Sequence, residues 1–177
     1  MSDLRDAYEA AGLLSVETYV QSGNVVFRGP ENESESAIVR SIESAIEEKF
    51  GLDDVRVILR SKDEFRRIIA ECPFTNRDVS KLHVTFLEKK ARKDIPTKEL
   101  EIARRGSEEF AIEGREVYLF LPYGYGRTKL SNGFFEKKLG EVATTRNWRT
   151  AKELLRIASS STLPRSTSDD VDIPTVE

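Results

Sequence analysis

Two short stretches late in the chain hold the residue types best suited to chemistry. The first is Pro122-Tyr123-Gly124-Tyr125-Gly126-Arg127-Thr128-Lys129, which follows a strand-like run and leads into a helix-like one. Glycines allow a backbone to approach a ligand closely, and successive N–H groups ahead of a helix can form an anion-binding nest. Arg127 and Lys129 add positive charge, and the Tyr123 and Tyr125 rings could stack on a planar group. The spacing fits neither a Walker loop nor GxGxxG, so the plainer alternative is a strand-to-helix turn with solvated bases beside it. The second stretch is Thr144-Thr145-Arg146-Asn147-Trp148-Arg149-Thr150. Here Thr144 or Thr145 is expected to cap a final helix over Arg146–Ala158. Its apolar face carries Trp148, Ala151, Leu154, Leu155 and Ala158, while Arg149, Lys152 and Arg156 share another face. Tyr125, Arg127, Lys129, Arg146, Asn147 and Arg149 are therefore the candidate anion- or nucleic-acid-binding residues, set against Trp148 as a core anchor.

Charge patterning points to the same region. The chain has 177 residues and a net charge of −3, which by itself disfavours a polyanionic partner. Residues 123–158, however, hold eight bases and three acids, so that segment is +5 and the remainder −8. Tyr123, Tyr125, Phe134, Phe135 and Trp148 are interleaved with those bases. The implied partner is a nucleic acid or a phosphorylated small molecule.

Familiar catalytic constellations are missing from the sequence. His83 is the single histidine and alternates with Leu82, Val84 and Phe86 on a strand, so it faces away from them as a packed or solvated group. Cys72 is the single cysteine and falls on the apolar face of a helix, where a thiol is ordinarily inert. One Cys and one His exclude a zinc finger, an iron–sulfur cluster and a disulfide, so neither a metal nor a cofactor is expected. No GxSxG elbow accompanies the serines, and Asp53-Asp54 sits in a turn-like context. A non-catalytic binding module is thus expected first. The alternatives are an enzyme or sensor for a small phosphorylated or nucleotide-like molecule, and a protein-interaction domain. No apolar run reaches membrane-span length and no signal-peptide pattern opens the chain; a cytoplasmic monomer or weak homo-oligomer is expected.

The elements that must position these residues follow from periodicity. Ser2–Leu13 reads as a helix, and Val16–Gln21 with Asn24–Arg28 as a hairpin across Ser22-Gly23. Ser34–Phe50 carries Ile38, Ile42, Ala45, Ile46 and Phe50 on one helical stripe closed by Gly51. Val55–Leu59 is a short buried strand, and Ser61-Lys62-Asp63-Glu64 a capping box opening a helix that Pro73 stops. The pattern then repeats: strand Leu82–Leu87, helix Pro96–Arg104, hairpin Phe110–Ile112 with Glu116–Leu121, and helix Ser131–Leu139 ended by Gly140. Helix, hairpin, helix recurs in that order. The fold class expected is α+β, two tandem ferredoxin-like (βαββαβ) half-units, the first lacking its opening strand. The expected divisions are 1–78, 79–158 and a disordered tail, 159–177, of five Ser, three Thr, two Pro, four acids and one base.

Three segments also carry a family resemblance. Tyr19-Val20-Gln21-Ser22-Gly23-Asn24-Val25-Val26-Phe27, Gly124-Tyr125-Gly126-Arg127-Thr128-Lys129-Leu130 and Ala143-Thr144-Thr145-Arg146-Asn147-Trp148-Arg149-Thr150 resemble the signatures of the bacterial domain of unknown function family 1697. The resemblance implies a tandem ferredoxin-like fold and assigns no catalytic residue. It also implies a strand and a Leu-Arg-Gly-Ile-Asn-Val-Gly-Gly-type loop ahead of Asp3-Leu4-Arg5, so a start upstream of Met1 is expected. If the chain is complete as it stands, low solubility or strand borrowing between chains is expected instead.

Overall fold

Alternating helical and extended periods build two units in this computed structural model, which describes residues 2–20, 23–91, 97–160 and 175–176. Unit 1 comprises Met1–Arg67 with Glu153–Glu177, and unit 2 comprises Ile68–Lys152.

In unit 1, helix α1 (Ser2–Ala10) precedes the hairpin of β1 (Leu14–Tyr19) and β2 (Asn24–Arg28), then helix α2 (Glu35–Phe50) and the short strand β3 (Val57–Ile58). Ser34 starts α2 because its Oγ accepts the Ala37 N–H at 3.3 Å, satisfying one orphan donor of the first turn. The Ile38, Ile42 and Ile46 stripe of α2 then packs with Tyr8, Val16, Val25, Phe27, Val57 and Leu59 into one apolar core. Helix α3 (Lys62–Ala70) opens on the expected capping box. The Ser61 N–H donates to Glu64 Oε2 at 2.8 Å, and Ser61 Oγ accepts from the Glu64 N–H at 3.3 Å.

In unit 2, strand β4 (Leu82–Leu87) leads to helix α4 (Thr97–Ala103), the hairpin β5 (Glu109–Glu113) and β6 (Glu116–Phe120), helix α5 (Asn132–Leu139) and strand β7 (Ala143–Asn147). The sheet order is β5-β6-β4-β7, with β4 paired antiparallel to both neighbours at five positions each. Alternation on β4 divides its side chains: His83, Thr85 and Leu87 on one face, Leu82, Val84 and Phe86 on the other. The face bearing Leu87, Val117, Leu119 and Ala143 packs with Leu100, Leu130, Phe135 and Leu139 of α4, α5 and the loop before α5. On the opposite face the Tyr118 hydroxyl donates to the Ile68 carbonyl at 3.1 Å, and the Tyr118 and buried Trp148 rings lie 6.3 Å apart.

The last helix, α6 (Trp148–Ser160), begins in unit 2 and continues in unit 1. Strand β8 (Thr175–Val176) joins the sheet of unit 1, whose order is β1-β2-β8-β3. The fold is α+β, with two antiparallel sheets in tandem ferredoxin-like units.

Two local expectations change. Ala143–Asn147 is a strand, so Arg146 belongs to β7 and neither Thr144 nor Thr145 caps α6. Asn147 does this, its Oδ1 accepting the Thr150 N–H at 2.8 Å. Two adjacent β-branched threonines beside β4 gain a full ladder, which outweighs local capping chemistry. Of the segment read as a tail, Ser159 and Ser160 close α6, Thr175–Val176 form β8, and residues 161–174 and 177 lie outside the described residues.

Candidate phosphate-binding loop

The stretch after β6 forms a braced loop. A 3-10 turn spans Tyr125–Arg127, and Gly124 enters it at φ 87°, ψ 152°, a conformation closed to side chains with a Cβ. The Tyr125 hydroxyl donates to Asn132 Oδ1 at 3.1 Å and accepts the Asn132 N–H at 3.2 Å, so it fills an orphan donor at the start of α5. Asn132 Oδ1 also accepts from Thr145 Oγ1 at 2.6 Å, and Thr145 Oγ1 stands 2.7 Å from Thr85 Oγ1. The Thr145 proton is engaged with Asn132, so Thr85 donates to Thr145. His83, next along the same face of β4, stacks on the Tyr125 ring at 5.4 Å and 26°.

A second set of contacts ties this loop to the one before β5. Thr128 Oγ1 donates to Glu108 Oε2 at 3.0 Å, and the Arg105 N–H donates to the same oxygen at 2.9 Å. The Arg105 guanidinium lies over the Tyr123 ring at 5.4 Å. Gly106 sits against Tyr123 so closely that a Cβ would meet its hydroxyl at 2.7 Å.

The backbone N–H groups of Gly124, Arg127 and Thr128 bond to carbonyls within this segment, and that of Leu130 to Thr128 Oγ1. With these donors already engaged, the loop's cationic side chains are its main resource for an anion. Arg127 and Lys129 are exposed, and their side chains make no hydrogen bond or ion pair among the described residues. Other bases are engaged: Arg77 with Glu109 at 2.6 Å, Arg104 with Glu101 at 2.5 Å, and Lys138 with Glu99.

The remaining candidates divide. Arg146 is opposite Val84 on β7, hence on the sheet face away from His83 and Tyr125, and its Nη1 donates to Thr144 Oγ1 at 2.7 Å and the Thr145 carbonyl at 3.0 Å. Asn147 is exposed and serves as the α6 cap. Arg149 is exposed on α6 without a side-chain partner among the described residues, as is Lys152 one turn on. Arg156, expected to share their face, is instead bound to Glu153 at 2.7 Å. Among the interleaved aromatics only Tyr123 is exposed, Phe135 and Trp148 being buried.

The sequence gives no sign of the Asn132, Thr145 and Thr85 chain that holds Tyr125 in place. Tyr125 lies seven residues before Asn132 at a helix start, and that spacing alone identifies no bond. His83 is packed, as expected, with its Nδ1 buried and without a hydrogen-bond partner among the described residues. Burial holds the His83 imidazole below its ordinary pKa, against a smaller opposing pull from the Lys81 backbone, and keeps it neutral near pH 7. Burial likewise pushes the Cys72 thiol up, leaving it inert. Among the described residues no three His, Cys, Asp or Glu side chains gather as a metal-holding group. A cavity of about 150 Å³ in unit 1 is lined by Glu31, Glu33, Glu35 and Glu64, the wrong sign for an anion. Among the described residues no helix is long and apolar enough to cross a membrane.

Comparison with known proteins agrees with this architecture. The model of a family described as "Protein of unknown function (DUF1697)" matches residues 1–118, ending at Tyr118 ahead of the braced loop. A solved structure, the conserved bacterial protein SP0830 from Streptococcus pneumoniae, is similar with a TM-score of 0.64 at 19% identity, covering 89% of this chain and 87% of that one. No curated protein matches.

Proposed function

This chain belongs to the family of proteins of unknown function DUF1697, and from that premise we propose that it is a non-catalytic module binding a nucleic acid or another phosphate-bearing ligand. One observation carries the reading. Arg127 and Lys129 stand free on a loop braced by the Tyr125–Asn132 and Thr128–Glu108 bonds, among neighbours whose bases are largely paired. A cation held on a rigid loop loses little freedom when it meets a phosphate, which favours binding. Arg149 and Lys152 add a second free pair, while Arg146 and Asn147 build the strand and the helix start beside them. With Tyr123 as the one exposed ring of the segment, phosphate contacts outweigh base stacking, so recognition is mainly of the backbone.

The test is titration of a labelled 12-nucleotide single-stranded RNA at 50 and 200 mM salt. Each phosphate neutralised on a single strand contributes about −0.7 to the slope of log K against log salt. Arg127→Ala and Lys129→Ala are each expected to weaken binding and flatten the slope by about 0.7. Salt-insensitive binding, or a slope unchanged in both variants, removes the proposal.

A second reading, an enzyme or sensor for a small phosphorylated molecule, draws on the same exposed Arg127 and Lys129, on a loop whose Tyr125 ring stacks on His83. A thermal-shift series with nucleotides and sugar phosphates separates the two. Stabilisation by a small phosphate ester without RNA binding, lost in Arg127→Ala, favours the second. A cytoplasmic setting suits both, since the single cysteine is a free, buried thiol.

A further inference from the structure

Arg104 and Arg105 are neighbours in the loop between α4 and β5, and their side chains meet opposite fates. Arg104 is half-buried and fully engaged: its Nη1 pairs with Glu101 at 2.5 Å and its Nε donates to the Glu108 carbonyl at 2.5 Å. Arg105 is exposed, and its guanidinium makes no hydrogen bond or ion pair among the described residues. The carboxylates near it in sequence are taken elsewhere, Glu101 by Arg104 and Glu109 by Arg77 at 2.6 Å. What holds the Arg105 guanidinium is the Tyr123 ring, whose centroid lies 5.4 Å from Cζ.

A cation over a ring is held by the ring's quadrupole and uses none of its N–H groups for hydrogen bonding, so the fork of Arg105 stays available. Tyr123 is itself fixed. Its hydroxyl stands 3.4 Å from Ser107 Oγ, and Gly106, at φ 57°, lies so close that a Cβ would meet that hydroxyl at 2.7 Å. The loop before β5 is also tied to the loop after β6. The buried Glu108 accepts at one oxygen, Oε2, both the Arg105 N–H at 2.9 Å and the Thr128 hydroxyl at 3.0 Å. Arg127 and Lys129 flank Thr128, so three exposed cations from two loops share one buried support. Arg105 lies outside the basic segment 123–158, and charge counting along the sequence does not single it out.

We infer, resting on the phosphate-binding role proposed above, that Arg105 is the principal phosphate-binding residue of this surface, a bidentate donor to two non-bridging oxygens of a phosphate ester, with Arg127 and Lys129 as flanking cations. A planar guanidinium fork matches paired phosphate oxygens in a way that a point charge does not. A guanidinium already packed on a ring has given up part of its freedom before the ligand arrives, so less is lost to ordering on binding. Glu108 is a positioning residue, acting through the Arg105 N–H and the Thr128 hydroxyl. The same fork chemistry serves a nucleic-acid backbone and a free nucleotide.

The test titrates the full chain with the labelled 12-nucleotide RNA and, separately, with adenosine monophosphate, at 50 and 200 mM salt. Arg105→Lys keeps the charge and loses the fork. It is expected to weaken the bound probe about tenfold, the loss of one charge-assisted hydrogen bond, with the RNA salt slope unchanged. Arg105→Ala is expected to weaken binding further and to flatten the RNA slope by about 0.7. Tyr123→Leu is expected to weaken binding about threefold, while Tyr123→Phe, which keeps the ring, binds as the parent does. Both Arg105 substitutions leave the backbone N–H on Glu108, so the loop keeps its support. Weakening of RNA binding alone supports the inference with a nucleic-acid backbone as ligand, and weakening of mononucleotide binding alone supports it with a small phosphate ester. Unchanged affinity in Arg105→Lys overturns the inference; if Arg127→Ala is impaired in the same titration, the phosphate-binding function stands without it. Binding of neither probe by the parent chain overturns both.

Discussion

At the scale of single residues, Tyr125 shows how a candidate ligand contact doubles as scaffold. Its ring packs on His83 and its hydroxyl makes two bonds to Asn132. Tyr125→Phe leaves the Asn132 N–H and Oδ1 short of a partner and is expected to cost about 1–3 kcal/mol in urea denaturation, before any effect on binding. His83 supplies a pH signature. Its folded pKa is depressed by burial, so below about pH 6.5 the unfolded chain binds the extra proton more readily. Unfolding free energy should therefore rise with pH through the window just below 6.5 and be lost as pH falls, and His83→Asn should flatten that limb in melts taken from pH 5.5 to 7.5. Alternation along Leu82–Leu87 was enough to put His83 opposite Leu82 and Val84. Its stacking on Tyr125 was not readable, because the two residues come from different elements, 42 positions apart in the sequence.

At the scale of elements, the braced loop rests on one backbone position. Gly124 has φ 87° and open space around it, so Gly124→Ala is penalised by conformation rather than by a clash, at about 1–3 kcal/mol. Gly126 has similar space and no positive φ, and Gly126→Ala should be near neutral; equal losses in paired thermal melts would contradict this assignment. The α2 stripe, the Ser61–Glu64 capping box and the hairpins were legible because their signals lie within a few residues of one another. Strand β7 was not. Thr144 and Thr145 can serve as helix caps or as strand residues, and only the presence of β4 alongside selects the strand. That choice moves Arg146 onto β7 and makes Asn147 the helix cap, so the six candidate residues no longer form a single group.

At the scale of the whole molecule, each unit has an apolar core of its own. Phe135 is fully buried in the unit 2 core, and Phe135→Ala is expected to cost about 3–5 kcal/mol, measured by chemical denaturation at constant pH. A smaller loss would mean that α5 relaxes into the cavity. The α+β class, most of the elements, the core stripes and the charge asymmetry between residues 123–158 and the remainder are legible in the amino-acid sequence. All of these are written in local periodicity and composition, where neighbours within about four positions carry the information. Which bases remain free and what holds Tyr125 are set by contacts between elements. Such contacts also bring β8 to the centre of the first sheet, pairing Thr175 with Asn24 and Ile58. Those are contacts between residues far apart in the chain, selected by the ladder and the burial available once the sheets have formed, and no short-range pattern encodes them.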